Sequence, residues 1–169
     1  PKHVAESLRD GRKVAPESFG CVTVFFSDIV GFTDISSNFT PEKVSNLLDR
    51  FFTKFDDLAR LHKVFKVETI GDAYMTVTNL AAEQPDHARI TAQFAFDAVK
   101  AASSTLIDED DPSQGCLQIR VGFHSGPVVA SVCGSMSPRY TIIGDTVNTA
   151  SRRESNSLTG RVHCSKASP

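Results

Sequence analysis

The order of patterns between residues 21 and 78 leaves few folds open. Residues 21–26 form a β-branched and aromatic run, read as a buried strand that ends near Asp28. Thr40-Pro41-Glu42 then marks a helix start: a capping hydroxyl, a proline at the first helical position and an acid in the first turn. Val44, Leu47, Leu48, Phe51, Phe52, Phe55 and Leu58 follow at helical spacing as one core-facing stripe. Residues 64–69 and 73–78 read as two strands around Ile70-Gly71-Asp72, a hairpin whose turn carries an acid.

The second half continues the alternation. Asp86 opens a helix that runs to about Thr105, with Ile90, Phe94, Ala98 and Ala101 on one face. Asp108-Glu109-Asp110-Asp111-Pro112-Ser113 lacks EF-hand spacing and ends at a proline, so it reads as a solvated connector. Residues 117–124 read as a strand, Ser125-Gly126-Pro127 as a turn, and residues 128–133 and 139–143 as the arms of a hairpin. A helix begins around Asp145 or Thr146, and residues 161–164 make a last short strand. This β-α-β-β-α-β order with a trailing β-β-α-β predicts an α+β fold: a ferredoxin-like split βαβ core with an additional β-hairpin and helix. Residues 1–19 read as a separate N-terminal segment, in which Val4-Ala5-Glu6-Ser7-Leu8 finishes a helix, and residues 20–169 as one domain.

Composition narrows the class. A chain of 169 residues with 40% hydrophobic and 22% charged residues suits one globular domain with a real core. A formal charge of −2 gives no electrostatic case for nucleic acid or an anionic membrane, so phosphate affinity has to come from local groups and metal. Cys21, Cys116, Cys133 and Cys164 have no C-x-x-C spacing and read as buried free thiols of a reducing, cytoplasmic compartment. No apolar stretch approaches the roughly 20 residues that span a bilayer. The chain starts at Pro1 and reads as a fragment, so a membrane anchor elsewhere in a parent protein stays open.

Three segments carry chemistry. Phe26-Ser27-Asp28-Ile29-Val30-Gly31-Phe32-Thr33 and Glu68-Thr69-Ile70-Gly71-Asp72-Ala73-Tyr74-Met75 each place an aspartate at the edge of an apolar, strand-like run. Two carboxylates on neighbouring strands form a hard-oxygen site suited to Mg²⁺ or Mn²⁺, and so to phosphoryl-type chemistry on a nucleotide. Gly144-Asp145-Thr146-Val147-Asn148-Thr149-Ala150-Ser151-Arg152 adds an amide and a fixed cation at i, i+4, on one helix face.

At these segments the chain resembles the class III nucleotidyl cyclases, most of all the catalytic domain of eukaryotic guanylyl cyclases. Lys66-Val67-Glu68, Arg120-Val121-Gly122-Phe123-His124-Ser125-Gly126-Pro127-Val128-Val129-Ala130 and Pro138-Arg139-Tyr140-Thr141 extend the match over nearly the whole chain. The resemblance implies conversion of GTP to 3′,5′-cyclic GMP and pyrophosphate in a head-to-tail homodimer with active sites at the interface. It implies that Asp28, Asp72 and the backbone carbonyl of Ile29 hold two Mg²⁺ or Mn²⁺ ions, which activate the ribose 3′-hydroxyl and neutralise the phosphates. The facing subunit would supply Asn148 to orient the ribose and Arg152 to stabilise charge on the α-phosphoryl group.

Base choice falls on Glu68 and Thr141. A carboxylate at Glu68 accepts from guanine N1–H and its 2-amino group, whereas Thr141 stands where guanylyl cyclases commonly have Cys and adenylyl cyclases Asp, and its hydroxyl suits either base. Adenylyl cyclase activity, or a catalytically silent pairing module, are the alternatives. His124 and Gly126 match the family motif as packing residues. The family's triphosphate-binding lysine beyond the last strand has no match in Lys166-Ala167-Ser168-Pro169, which points to a C-terminal truncation. Val4-Ala5-Glu6-Ser7-Leu8 resembles the segment that follows a signalling helix, which implies an upstream sensor domain.

Overall fold

The computed structural model describes residues 1–166; the Ala167-Ser168-Pro169 end of the unmatched tail lies outside them. Helix α1 (Lys2–Arg9) leads into strand β1 (Glu17–Ile29), followed by α2 (Phe32–Asn38), α3 (Pro41–His62), β2 (Phe65–Ile70), β3 (Ala73–Thr78) and α4 (His87–Ser103). A single turn of 3₁₀ helix (Pro112–Gln114) precedes β4 (Ile119–Cys133), β5 (Arg139–Ile143), α5 (Asp145–Ser155) and β6 (Val162–Cys164). The strands form one sheet in the order β2-β3-β1-β4-β5, antiparallel throughout, with β6 added parallel to β4. The first four strands and two crossover helices are the expected split βαβ core.

Strand alternation divides the core in two. Phe25 and Ile29 of β1 pack with Leu47, Phe51 and Phe55 of α3 and Phe94 and Ala98 of α4 on one face of the sheet. Val22 and Val24 of the same strand pack with Met75, Val77, Val128 and Ala150 of α5 on the other. In the stripe of α3, Leu47, Phe51 and Phe55 are buried while Val44, Leu48, Phe52 and Leu58 are half-buried, and its cap is as expected: the Lys43 N–H donates to Thr40 Oγ1 at 3.3 Å. Lys63 ends that helix in the left-handed region, and its N–H returns to the Ala59 and Arg60 carbonyls. Phe25 and Phe94 meet edge to face at 4.9 Å between centroids, which joins α4 to the centre of the sheet.

The structure departs from the sequence reading at several points. β4 runs unbroken through Ser125-Gly126-Pro127, where the sequence suggests a turn. β1 accommodates the proline: its register slips between Phe19 and Val22, directly opposite, so no ladder bond needs the missing N–H. Because β4 is long, its partner is too, and β1 begins at Glu17, inside the stretch read as a separate N-terminal segment. Helix α2 is a short element the periodicity does not reveal; Gly31, at φ 71°, turns the chain into it.

On α4 the buried row is Thr91, Phe94, Ala95, Ala98 and Ala102, rotated from the expected one, so Ile90 and Ala101 are half-buried. The acidic connector is not wholly solvated: Asp108 is buried and its Oδ2 accepts from Lys43 Nζ at 2.7 Å. The cysteines are free but not buried. Cys21, Cys133 and Cys164 are exposed and Cys116 is half-buried. Cys21 sits in the irregular part of β1, while Cys133 and Cys164 end their strands, so local apolar context misled.

α5 crosses β4 at Gly122. A Cβ there would lie 2.0 Å from the backbone nitrogen of Glu154, so only glycine permits this approach. Gly122→Ala is expected to lower stability by about 2–3 kcal/mol, since backbone and not a flexible side chain has to move. Chemical denaturation of the two proteins measures it; an unchanged midpoint would show that α5 does not need this contact.

Candidate active site

Asp28 is the penultimate residue of β1, and Asp72 is the second residue of the β2–β3 turn. Gly71, the first, takes φ 60°, as a tight two-residue hairpin with glycine in that place requires. β1 and β3 are neighbours, paired through Ser27 and Tyr74, so the strand end and the turn lie side by side. The Ile29 N–H donates to Asp72 Oδ2 at 3.1 Å, which fixes the turn carboxylate against the end of β1. Tyr74, fully buried, donates its hydroxyl to Asp56 Oδ1 on α3 at 2.5 Å and anchors the strand leaving the turn.

The two carboxylates disturb each other. Burial, then the hydrogen bond and negative charge of Asp28, push the Asp72 carboxyl up to about 6. A pair of acids that resist joint ionisation gains from a cation between them. Among the described residues no group of three or more His, Cys, Asp or Glu side chains gathers to hold a metal. That donor set fits Mg²⁺ or Mn²⁺, which commonly bind through one or two carboxylates and take their remaining ligands from water and substrate phosphate. Asp28 also accepts from Arg120 Nη2 at 3.1 Å; Arg120 faces it across the β1–β4 ladder.

Asn148 and Arg152 lie on the exposed side of α5. The helix is locked by its opposite side: Ala150 is fully buried, and Thr146 donates its hydroxyl to the Pro127 carbonyl at 2.7 Å. Gly126 makes room for Thr146, since a Cβ there would meet its hydroxyl at 2.5 Å. His124, on the same face of β4, has its Nδ1 2.6 Å from Ser165 Oγ, a packing role as the sequence suggests. Arg152 donates to Thr149 Oγ1 at 2.9 Å and pairs with Asp145 at 3.5 Å, and none of its hydrogen bonds or ion pairs among the described residues reaches Asp28 or Asp72.

Glu68 and Thr141 stand on β2 and β5, the outer strands of the main ladder. A slip in β2 between Lys66 and Glu68 sets Glu68 opposite Met75, a member of the second core cluster, and so on the α5 face of the sheet. The sheet curls enough for Phe65 of β2 and Tyr140 of β5 to meet edge to face at 6.1 Å. Both Glu68 and Thr141 are half-buried, and no hydrogen bond among the described residues joins them; Thr141 donates its hydroxyl to the Arg139 carbonyl at 3.4 Å. Sequence reasoning overlooked Arg120 and Glu154, the polar groups beside Asp28; the available signal was a charged residue starting an otherwise apolar strand.

Set beside known proteins, residues 14–168 match the family described as adenylate and guanylate cyclase catalytic domain, and the chain belongs to that family. It is 47% identical over 98% of its length to the receptor-type guanylate cyclase gcy-28 of Caenorhabditis elegans, of which it spans 13%. Among solved structures, the guanylate cyclase domain of a rhodopsin cyclase from Catenaria anguillulae in complex with GTP aligns at TM-score 0.84 and 40% identity, covering 90% of this chain and 81% of that one. The guanylyl cyclase domain of the RhoGC fusion protein from the aquatic fungus Blastocladiella emersonii, solved as a non-canonical dimer, aligns at TM-score 0.82 and 40% identity, covering 90% and 83%.

Proposed function

We propose that this chain is a guanylyl cyclase domain that converts GTP to 3′,5′-cyclic GMP and pyrophosphate. The observation that carries the reading is the joining of Asp28 and Asp72 at one corner of the sheet through the Ile29 amide. Asp28, Asp72 and the Ile29 carbonyl hold two divalent cations, Mg²⁺ or Mn²⁺. When bound, these ions supply charge neutralisation for the triphosphate and acidify the ribose 3′-hydroxyl. Asn148 orients the ribose, and Arg152 donates to the α-phosphoryl oxygens as their charge grows. Glu68 accepts from the guanine N1–H and 2-amino groups, and Thr141 donates to its O6.

The active sites are shared in a head-to-tail homodimer. Neither Asn148 nor Arg152 has a hydrogen bond or ion pair to Asp28 or Asp72 among the described residues, and both are exposed on α5, which supports completion by a second copy. A fungal relative has been solved as a dimer, and another in complex with GTP, which supports pairing of such domains and GTP as the nucleotide. In the parent protein an upstream sensor domain precedes α1, and the domain works on the cytoplasmic side; no described helix is long and apolar enough to cross a membrane.

Turnover of GTP and ATP by the purified chain with Mn²⁺ tests the activity. Faster ATP use would establish the adenylyl alternative, and no turnover of either the silent module. Mixing inactive Asp72→Ala with inactive Arg152→Ala tests the sharing. The mixed dimer holds one intact site, so activity is expected to rise above both parents. No recovery, with subunit exchange demonstrated, would assign each site to one chain.

A further inference from the structure

Arg120 is enclosed by three elements. It stands on β4, faces Asp28 of β1, and lies beneath the last turn of α5, which Gly122 admits close to the strand. Its Nη2 donates to Asp28 Oδ2 at 3.1 Å, and its Nε lies 3.4 Å from Glu154 Oε1. The two ends differ. The Asp28 contact is a hydrogen bond, whereas Nε and Oε1 face each other out of line, both buried and without a hydrogen-bond partner among the described residues. Glu154 is 8% exposed, and its other oxygen accepts from the Ser155 hydroxyl at 3.3 Å. A buried donor and a buried acceptor this close, both unpaired, favour any movement that joins them. A small tilt of the guanidinium away from Asp28 does so.

We propose that Glu154 is a positioning residue for the metal corner: it receives Arg120 when Asp28 takes up a cation. The proposal rests on the reading of Asp28 and Asp72 as metal ligands. A guanidinium bonded to Asp28 competes with a divalent cation for the same carboxylate, and repels it. Simply expelling Arg120 into solvent would leave the buried Glu154 carboxylate without its cation. Glu154 holds that charge one step back, still paired. It sits two residues beyond Arg152 on α5, so the helix that bears the amide–cation pair is tied through Arg120 to the strand that bears the metal acid.

The test is direct Mn²⁺ binding, read by electron paramagnetic resonance of free Mn²⁺ in titrations of the 169-residue chain without nucleotide. Asp28→Asn is expected to remove the site. Glu154→Gln is expected to weaken binding by about tenfold, because Arg120 then stays on Asp28. Arg120→Gln is expected to tighten binding, and in that background Glu154→Gln is expected to change affinity by less than about twofold. An equal loss from Glu154→Gln in both backgrounds would overturn the proposal, since the carboxylate would then act through space and not through Arg120. An unchanged affinity in Glu154→Gln would overturn it too. Should Glu154→Gln fail to fold, Glu154→Asp keeps the charge and shortens its reach; weaker binding supports the role, and unchanged binding refutes it. Mn²⁺ binding that ignores Asp28→Asn would instead overturn the metal assignment.

Discussion

Glu68→Lys combined with Thr141→Asp is expected to move the preference from GTP to ATP by roughly 10² to 10⁴ in kcat/KM. Both positions are half-buried, so a mispaired polar group there is partly withdrawn from water. Each mismatch costs about 1–3 kcal/mol, and the double variant reverses two of them. Lysine supplies a donor for adenine N1 and aspartate an acceptor for the 6-amino group. Glu68→Lys alone is expected chiefly to lose GTP activity, because Thr141 can serve either base. Thr141→Cys is expected to keep the GTP preference, since a thiol still donates weakly. The measurement is kcat/KM for both nucleotides across the original chain and the three variants. GTP use untouched by Glu68→Lys would end the guanine reading of that residue.

Asp72→Asn, and Asp28→Asn separately, are expected to reduce turnover by about 10² to 10³ while leaving the fold intact. The amide is isosteric, and at Asp72 its oxygen can still accept from the Ile29 N–H, so the turn keeps its anchor. What disappears is a negative charge where two phosphate-bound cations have to be held. The two substitutions differ in one respect: Asp28 is also paired with Arg120, so its loss frees that guanidinium as well. Steady-state turnover with Mg²⁺ and with Mn²⁺, alongside thermal unfolding, separates chemistry from folding. Near-normal activity of either variant with both metals would remove that residue from the metal site.

Local chemistry made much of this protein readable from its residues. The capped, striped helix α3, the hairpin around Gly71-Asp72 and the i, i+4 pair Asn148 and Arg152 are written in spacings of a few positions. Such spacings fix which side chains share a face, and motif density in the same segments indicated the family. The sequence by itself therefore determined the core fold class and nominated the acids, the base readers and the amide–cation pair.

Only the tertiary structure decided what depends on partners distant in the chain. Pro127 can stay inside β4 because β1, more than a hundred residues earlier, slips register opposite it. Cys21, Cys133 and Cys164 lie at irregular or terminal strand positions that no local apolar count registers. Arg120 and Glu154 matter because Gly122 lets α5 settle against β4 and sets both beside Asp28, across 92 residues of sequence in the Arg120–Asp28 bond. Long-range packing chooses among faces that local periodicity leaves equivalent, and so it sets which charges meet.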